Sequence, residues 1–245
     1  MNYQWLTLWR YGDTFLSAAW LTLQVTLLAF ALSVMLGLLA ALAKASPFAP
    51  VRWLSHCYVE FIRNTPVLLQ IFIIFFGLPS LGITMSAFTA GVLALGINVG
   101  AYLSEIFRAG IQSVPKGQLE AAWILGIPRR KIFLSVVLPQ AVRAVWPAII
   151  NNLIQLLLGT SLLSAIALPE LTGTAMVINA RTLLYIQTFS IVTLIYLLLS
   201  NLFSWLGNQV GRRLFHPPMV APVKKSTRLL AKKWLISPLK RGETR

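Results

Sequence analysis

TFLSAAWLTLQVTLLAFALSVMLGLLAALA, residues 14–43, carries no charged side chain. A helix needs roughly 18 to 20 apolar residues to cross the hydrocarbon of a bilayer, and this stretch is longer than that. Outward from it the pattern recurs, because residues 64–104, 144–169 and 182–211 are uncharged as well. The first of these three is long enough for two crossings. Gly77, Pro79, Ser80 and Gly82 lie inside it with the composition of a turn, which divides it into helices of about 59–76 and 85–107. The chain is expected to be an all-α integral membrane protein with five transmembrane helices. Its composition agrees: 57% of 245 residues are hydrophobic, 11% are charged, and the mean hydropathy is +0.75. Runs that are continuous rather than alternating exclude a barrel. The first run is too long for the apolar region of a cleaved signal peptide.

Orientation follows from the basic side chains. Five spans put the termini on opposite sides. One assignment gathers Lys44, Arg52, Arg108, Lys116, Arg129, Arg130, Lys131 and the basic residues from Arg212 onward on a single face, leaving Arg10 and Arg181 opposite and Arg63 and Arg143 in or near the membrane. The positive-inside rule then predicts an N-terminus outside and a C-terminus in the cytoplasm. The net charge of +15 is thus mostly topological, and no nucleic-acid partner is expected, since no folded domain carries the charge. Three parts are expected: residues 1–13 as an external N-terminal segment with interfacial Trp5, Trp9 and Tyr11, residues 14–213 as one membrane domain, and residues 214–245 as a basic cytoplasmic tail. Lys224, Lys225, Arg228, Lys232, Lys233 and Trp234 of that tail suit either a layer on anionic lipid or plain disorder. No internal repeat is evident.

Residues 108–131, RAGIQSVPKGQLEAAWILGIPRRK, form the most polar internal stretch and fall on the cytoplasmic side by the charge rule. Pro115 and Gly117 read as a turn. Residues 118–125 then form a short helix closed by Gly126, with Pro128 just beyond. Such a helix cannot bury itself, so the apolar face with Trp123, Ile124 and Leu125 invites a partner groove. Glu120, near the helix start, is accounted for locally by the helix dipole.

The spacing here resembles a known signature. Glu120, Ala121 and Ala122, then Gly126 after three residues, then Val136, Val137, Leu138 and Pro139 after nine more, resemble the EAA loop of bacterial ATP-binding-cassette (ABC) importer permeases, with Val136 in place of Ile. Three further blocks, residues 58–79, 95–118 and 138–171, resemble the polar amino acid group of that family, the histidine, glutamine and arginine type. The resemblance implies the transmembrane fold of a type I ABC importer, with residues 115–139 as the coupling loop that docks on a separate ATPase. It implies, as partners, an ABC ATPase dimer that binds the ATP and magnesium, a second permease subunit, an extracytoplasmic solute-binding protein, an amino acid substrate and membrane lipid. This chain itself would hold no cofactor and no metal and would sit in the bacterial inner membrane. One departure is that Leu158 and Gly159 stand where members often carry Lys followed by Asp, Asn or Ser.

Polar groups inside spans are costly and persist where they face a cavity or a partner. Asn98, Tyr102 and Glu105 fall on one helix face by their spacing. Glu60 and Arg63 are spaced for an ion pair, and Asn64, Thr65 and Pro66 follow, where proline frees backbone groups that a ligand could use. Gly159, Thr160 and Ser161 form a third group. Taken alone, each group reads first as helix packing and second as substrate contact. The resemblance favours Asn64, Thr65, Asn98, Glu105 and Thr160 as pathway residues, and Glu105 is the intramembrane acid that a basic cargo would need. Glu170 and Arg181 are candidates, by position, to meet a binding protein. An integral-membrane enzyme is not expected: His56 and His216 are the two histidines, Cys57 is the one cysteine, and no nucleophile-base pair or Walker A loop is present. A channel or scaffold remains the competing class.

Overall fold

The computed structural model describes residues 2–215, and every regular element among them is helical. The expected basic tail from residue 216 onward lies outside the described residues. A short helix, α1 (Asn2–Trp9), leads into α2 (Gly12–Lys44), which contains the whole of the uncharged run that begins the chain's apolar part. Helix α2 is apolar on its outer as well as its inner face: Val25 and Ala29 are fully buried, while Leu27, Leu28, Met35 and Leu38 remain half exposed. A helix greasy all round belongs in lipid.

Four helices are long and apolar enough to cross a membrane: α2, α5 (Ala87–Gln112), the continuous run Arg129–Ile166, and α10 (Tyr185–Leu214). The expected single helix over residues 59–76 is not one helix. It is split between α3 (Ala49–Arg63) and a second run, Val67–Leu81, that meet at 108°. Pro66 causes the split, since it has no N–H to donate and biases Thr65 away from helical geometry. Helix α3 buries Ser55, Val59 and Ile62 and leaves Trp53, Leu54 and Phe61 exposed. It is fastened by Ser55 Oγ donating to the Ala40 carbonyl at 2.8 Å and Tyr58 Oη donating to the Ile97 carbonyl at 2.7 Å.

Proline shapes two further places in the same way. The second run begins as α4 (Val67–Phe72) and widens into a π-type turn over Ile73–Gly77 ahead of Pro79. The long run begins as α7 (Arg129–Ile132) and widens over Phe133–Val137 ahead of Pro139, then continues as α8 (Leu138–Gly159). A proline ring collides with the carbonyl four residues earlier, and a widened turn moves that carbonyl aside. Charged residues had marked the start of this span at residue 144, whereas the helix begins at Arg129 and is 38 residues long. At 1.5 Å per residue that is about 57 Å, so it must project well beyond a hydrocarbon layer of roughly 30 Å.

Helix α5 is the hub, packed mainly on α2 and then on α8. Its approach to α2 is close enough that a Cβ at Gly37 would lie 2.8 Å from Leu103 Cβ and 3.0 Å from the Gly100 carbonyl oxygen. Without a hydrophobic drive between helices in lipid, such backbone proximity supplies the packing energy. Gly37→Val should cost about 1–3 kcal/mol through overpacking. Thermal unfolding of the detergent-solubilised chain measures it, and an unchanged midpoint would contradict the packing described.

Candidate functional site

Breaking a helix inside a membrane leaves carbonyls without donors, and each costs energy until satisfied. Here the chain supplies its own donors. Asn64 donates from its backbone N–H and from Nδ2 to the Glu60 carbonyl, at 3.1 and 2.8 Å, and Thr65 Oγ1 donates to the Phe61 carbonyl at 2.9 Å. Gln70, buried on α4, donates from Nε2 to the Ile62 carbonyl at 2.9 Å, the Thr65 carbonyl at 3.2 Å and Thr65 Oγ1 at 2.8 Å. Its Oε1 accepts from Asn98 Nδ2 on α5 at 3.0 Å. Thr65 and Asn98 are thus joined through a residue that sequence reading did not single out. The expected Glu60–Arg63 ion pair is absent among the described residues. Asn64 Nδ2 lies 3.2 Å from Glu60 Oε2 instead, and the Arg63 guanidinium stacks 5.4 Å from the centre of the Tyr102 ring.

Beside this junction is a cavity of about 240 Å³, walled by Val67 of α4, by Leu95, Asn98, Val99 and Tyr102 of α5, and by Asn152, Gln155, Leu156 and Gly159 of α8. Asn98 and Tyr102 therefore share a wall, as their spacing implied. Asn152 and Gln155 went unnoticed, although with Gly159 they repeat the three-and-four spacing that had identified the α5 face. Glu105 does not line the cavity. Its Oε1 accepts from Lys44 Nζ at 2.5 Å, and its Oε2 accepts from Arg108 Nη2 at 2.7 Å and Nε at 3.0 Å. Lys44 is only 6% exposed, so this carboxylate neutralises a buried cation.

Thr160 and Ser161 are turned elsewhere. Thr160 is fully buried in a 3-10 segment, Thr160–Ile166; its hydroxyl donates to the Leu157 carbonyl at 2.7 Å and lies 3.4 Å from Tyr196 Oη, while Ser161 Oγ donates to the Leu158 carbonyl at 2.7 Å. Tyr196 in turn donates to Glu170 Oε2 at 2.7 Å. Glu170 is fully buried and caps α9 (Leu171–Thr182), accepting from the backbone N–H groups of Thr172 and Gly173 at 3.0 and 2.7 Å. Burial pushes its carboxyl above the ordinary carboxylate range, against the pull of those donors. A buried cap cannot meet a binding protein, which corrects the reading of Glu170 by position.

The second functional region is α6 (Lys116–Ile124), capped at its start by Pro115, with Gly117 inside its first turn rather than in a preceding loop. Gly126 adopts φ +70°; its N–H donates to the Trp123 carbonyl at 2.9 Å, and that of Ile127 to the Ala122 carbonyl at 3.1 Å. This double bond is the Schellman ending, which requires a left-handed residue and is favoured by glycine. Ala122 is buried among Val114, Ile132 and Val137. Two positions of the EAA pattern are thereby explained by the loop's own folding. Glu120 and Ala121 are exposed, and the exposed apolar residues are Trp123, Ile124 and Leu125, at 61%, 87% and 76%. Leu119, Glu120, Trp123, Arg129, Ile132 and Phe133 edge an open groove of about 350 Å³, with the Arg129 guanidinium 5.3 Å from the Trp123 ring. Gln140 Nε2 donates to Gln118 Oε1 at 2.7 Å, tying α6 to α8 beside Leu138 and Pro139.

Comparison with known proteins bears on the family and the fold. A family model described as the inner membrane component of binding-protein-dependent transport systems matches residues 33–216. The L-cystine transport system permease protein TcyB of Bacillus subtilis (strain 168) is 42% identical over 79% of this chain and 83% of its own length. The arginine transport system permease protein ArtQ of the same organism is 38% identical over 79% of this chain and 89% of its own. A crystal structure of an amino acid ABC transporter with histidines superposes with a TM-score of 0.81 at 39% identity, covering 85% of this chain and 98% of that one. The MetNI methionine ABC transporter, at 18% identity and a TM-score of 0.69, shares the fold.

Gln70→Leu should leave the Thr65 carbonyl and the Asn98 amide unpaired and the Ile62 carbonyl with Thr65 Oγ1 alone, at 3.4 Å, a cost of about 1–3 kcal/mol. Hydrogen exchange over residues 62–72 should accelerate along with the fall in melting temperature. Native-like protection in this variant would mean that the carboxamide does not hold the break.

Proposed function

The chain belongs to the family of inner membrane components of binding-protein-dependent transport systems, and on that footing we propose that it is the permease subunit of an ATP-driven importer of an amino acid. The observation that carries this reading is α6, a short helix with Trp123, Ile124 and Leu125 held out beside a groove edged by Glu120. A monomer gains nothing from such a surface. A docked ATPase would cover it, and in this reading Glu120 pairs with a polar or basic group of that partner. ATP and magnesium belong to the ATPase dimer, and a second permease copy or paralogue and an extracytoplasmic binding protein complete the assembly. The names of the amino acid permeases to which the chain is similar support the cargo class.

Topology in this reading has five crossings, counting α3 with the Val67–Leu81 run as one broken span. That run alone is 15 residues, about 22 Å, and falls short of the hydrocarbon. The basic residues around α6 and at the end of α10 support, by the positive-inside rule, a cytoplasmic C-terminus and an external N-terminus.

Coupling follows from continuity. Helix α6 is fixed to the start of the long run through Ala122, Ile132 and Val137 and through Gln118–Gln140. The same run carries Asn152, Gln155 and Gly159 to the cavity wall. A displacement of α6 by the closing ATPases therefore shifts that wall relative to Asn98 and Tyr102 on α5. Alternating access requires the substrate to bind one of the two arrangements more tightly than the other. Asn98 and Tyr102 serve as substrate contacts in this reading, Asn64 and Thr65 form the break that borders them, Glu105 and Thr160 hold the helices that wall the path, and Ser161 lies beside Thr160.

Reconstitution with the ATPase and binding protein in liposomes tests this. ATP-dependent amino acid uptake should fall at least tenfold with Ile124→Glu or Glu120→Lys, while the permease keeps its melting temperature. Uptake indifferent to ATP and to both substitutions would contradict the proposal and favour a channel.

A further inference from the structure

We infer that the cavity between α4, α5 and α8 selects an amino acid whose side chain is uncharged and hydrogen-bonding, and that Gly159 sets this selectivity; the inference rests on the cavity being the substrate site. The lining carries amides and a phenol but no charged side chain: Asn98, Tyr102, Asn152 and Gln155 among apolar neighbours.

The hydrogen-bond order fixes which ends of these amides face a ligand. Gln70 Nε2 has three oxygen acceptors around it, so its Oε1 is the end that meets Asn98. An oxygen there demands the Nδ2 of Asn98, and Asn98 Oδ1 is left uncommitted. Asn152 likewise commits Nδ2 to the Ala148 carbonyl at 2.9 Å and leaves its own Oδ1 uncommitted. Two facing helices thus offer carbonyl oxygens to a donor, which is what an α-ammonium group needs. The complementary charge stands at the rim. Arg63 stacks on the Tyr102 ring at 5.4 Å and has no carboxylate partner among the described residues, so it is available to a substrate carboxylate.

The remaining question is what the side chain meets. A cationic side chain would need an anion, and the acid in the neighbouring turn of α5, Glu105, is spent on Lys44 and Arg108 at 2.5 and 2.7 Å. An anionic side chain would compete with the α-carboxylate for Arg63. Burying either charge unpaired is costly, whereas an amide or hydroxyl side chain finds partners in Gln155 and Tyr102. Gly159 is the position from which a charge could enter: it lines the cavity, and a Cβ there would touch only Leu95 Cδ2, at 3.8 Å. At about 240 Å³ the space is below the roughly 300–1,000 Å³ of sites for drug-sized ligands, and so suits a single amino acid.

Equilibrium binding of labelled L-glutamine, L-arginine and L-glutamate to the purified permease–ATPase complex, without the binding protein, tests this. Glutamine should bind at least tenfold more tightly than either charged amino acid, and Gly159→Asp should reverse the order of glutamine and arginine without lowering the melting temperature. Arginine binding as well as glutamine to the native complex, with both abolished by Asn98→Leu, would overturn the selectivity and leave the site standing. Binding of any of them that is insensitive to both substitutions, or no binding of any, would overturn the placement of the site and the selectivity with it.

Discussion

One carboxamide closes the break that the rest of this architecture is arranged around. Pro66 ends a helix where lipid permits no unsatisfied carbonyl, and Gln70 answers two of those carbonyls while holding Asn98 across the gap to α5. Because the break is satisfied from within, it can persist as a rigid 108° corner rather than a flexible joint. The corner aims Val67 and α4 at the face of α5 that carries Asn98 and Tyr102, and the cavity lies where α8 fails to fill the space between them. A sharp bend and a cavity beside Asn98 both border the same hydrogen-bond group.

Charge is placed with the same economy. Glu105 bridges Lys44 from α2 and Arg108 from its own helix, which reduces the repulsion between two cations at one end of the α2–α5 pair. Glu170, a fully buried acid, is consumed at the opposite end of the bundle in capping α9 and in holding Tyr196 and, through it, Thr160. Neither acid is free for chemistry. The apolar tip of α6 remains exposed, and α6 packs on the start of the helical run that carries the third wall of the cavity. An exposed apolar tip and a cavity wall that carries amides are in this way packed on one long helical run.

Much of this is written in local sequence, and most of what is not depends on partners distant in the chain. Spans α2, α5 and α10 follow from uncharged runs because hydrocarbon tolerates nothing else, and Gly126 follows from the need for a left-handed residue to close α6. The long helix begins at Arg129 rather than residue 144 because a helix that leaves the membrane keeps its hydrogen bonds while changing its side chains. Gln70 is invisible locally because its partner Asn98 is 28 residues away. Thr160 reads alike as ligand contact or packing until Tyr196, 36 residues on, claims its environment. The Glu60–Arg63 spacing suits an ion pair, yet the Tyr102 ring takes the guanidinium. In these last three cases a long-range partner overrides a short-range pattern.

The most direct measurement of the central claim is an electron cryomicroscopy map of the permease–ATPase complex saturated with a transported amino acid. The account predicts density for the ligand between Asn98 and Asn152, with its carboxylate toward Arg63, and α6 seated against the ATPase. Ligand density outside that cavity, or an ATPase contacting the permease elsewhere than α6, would contradict it.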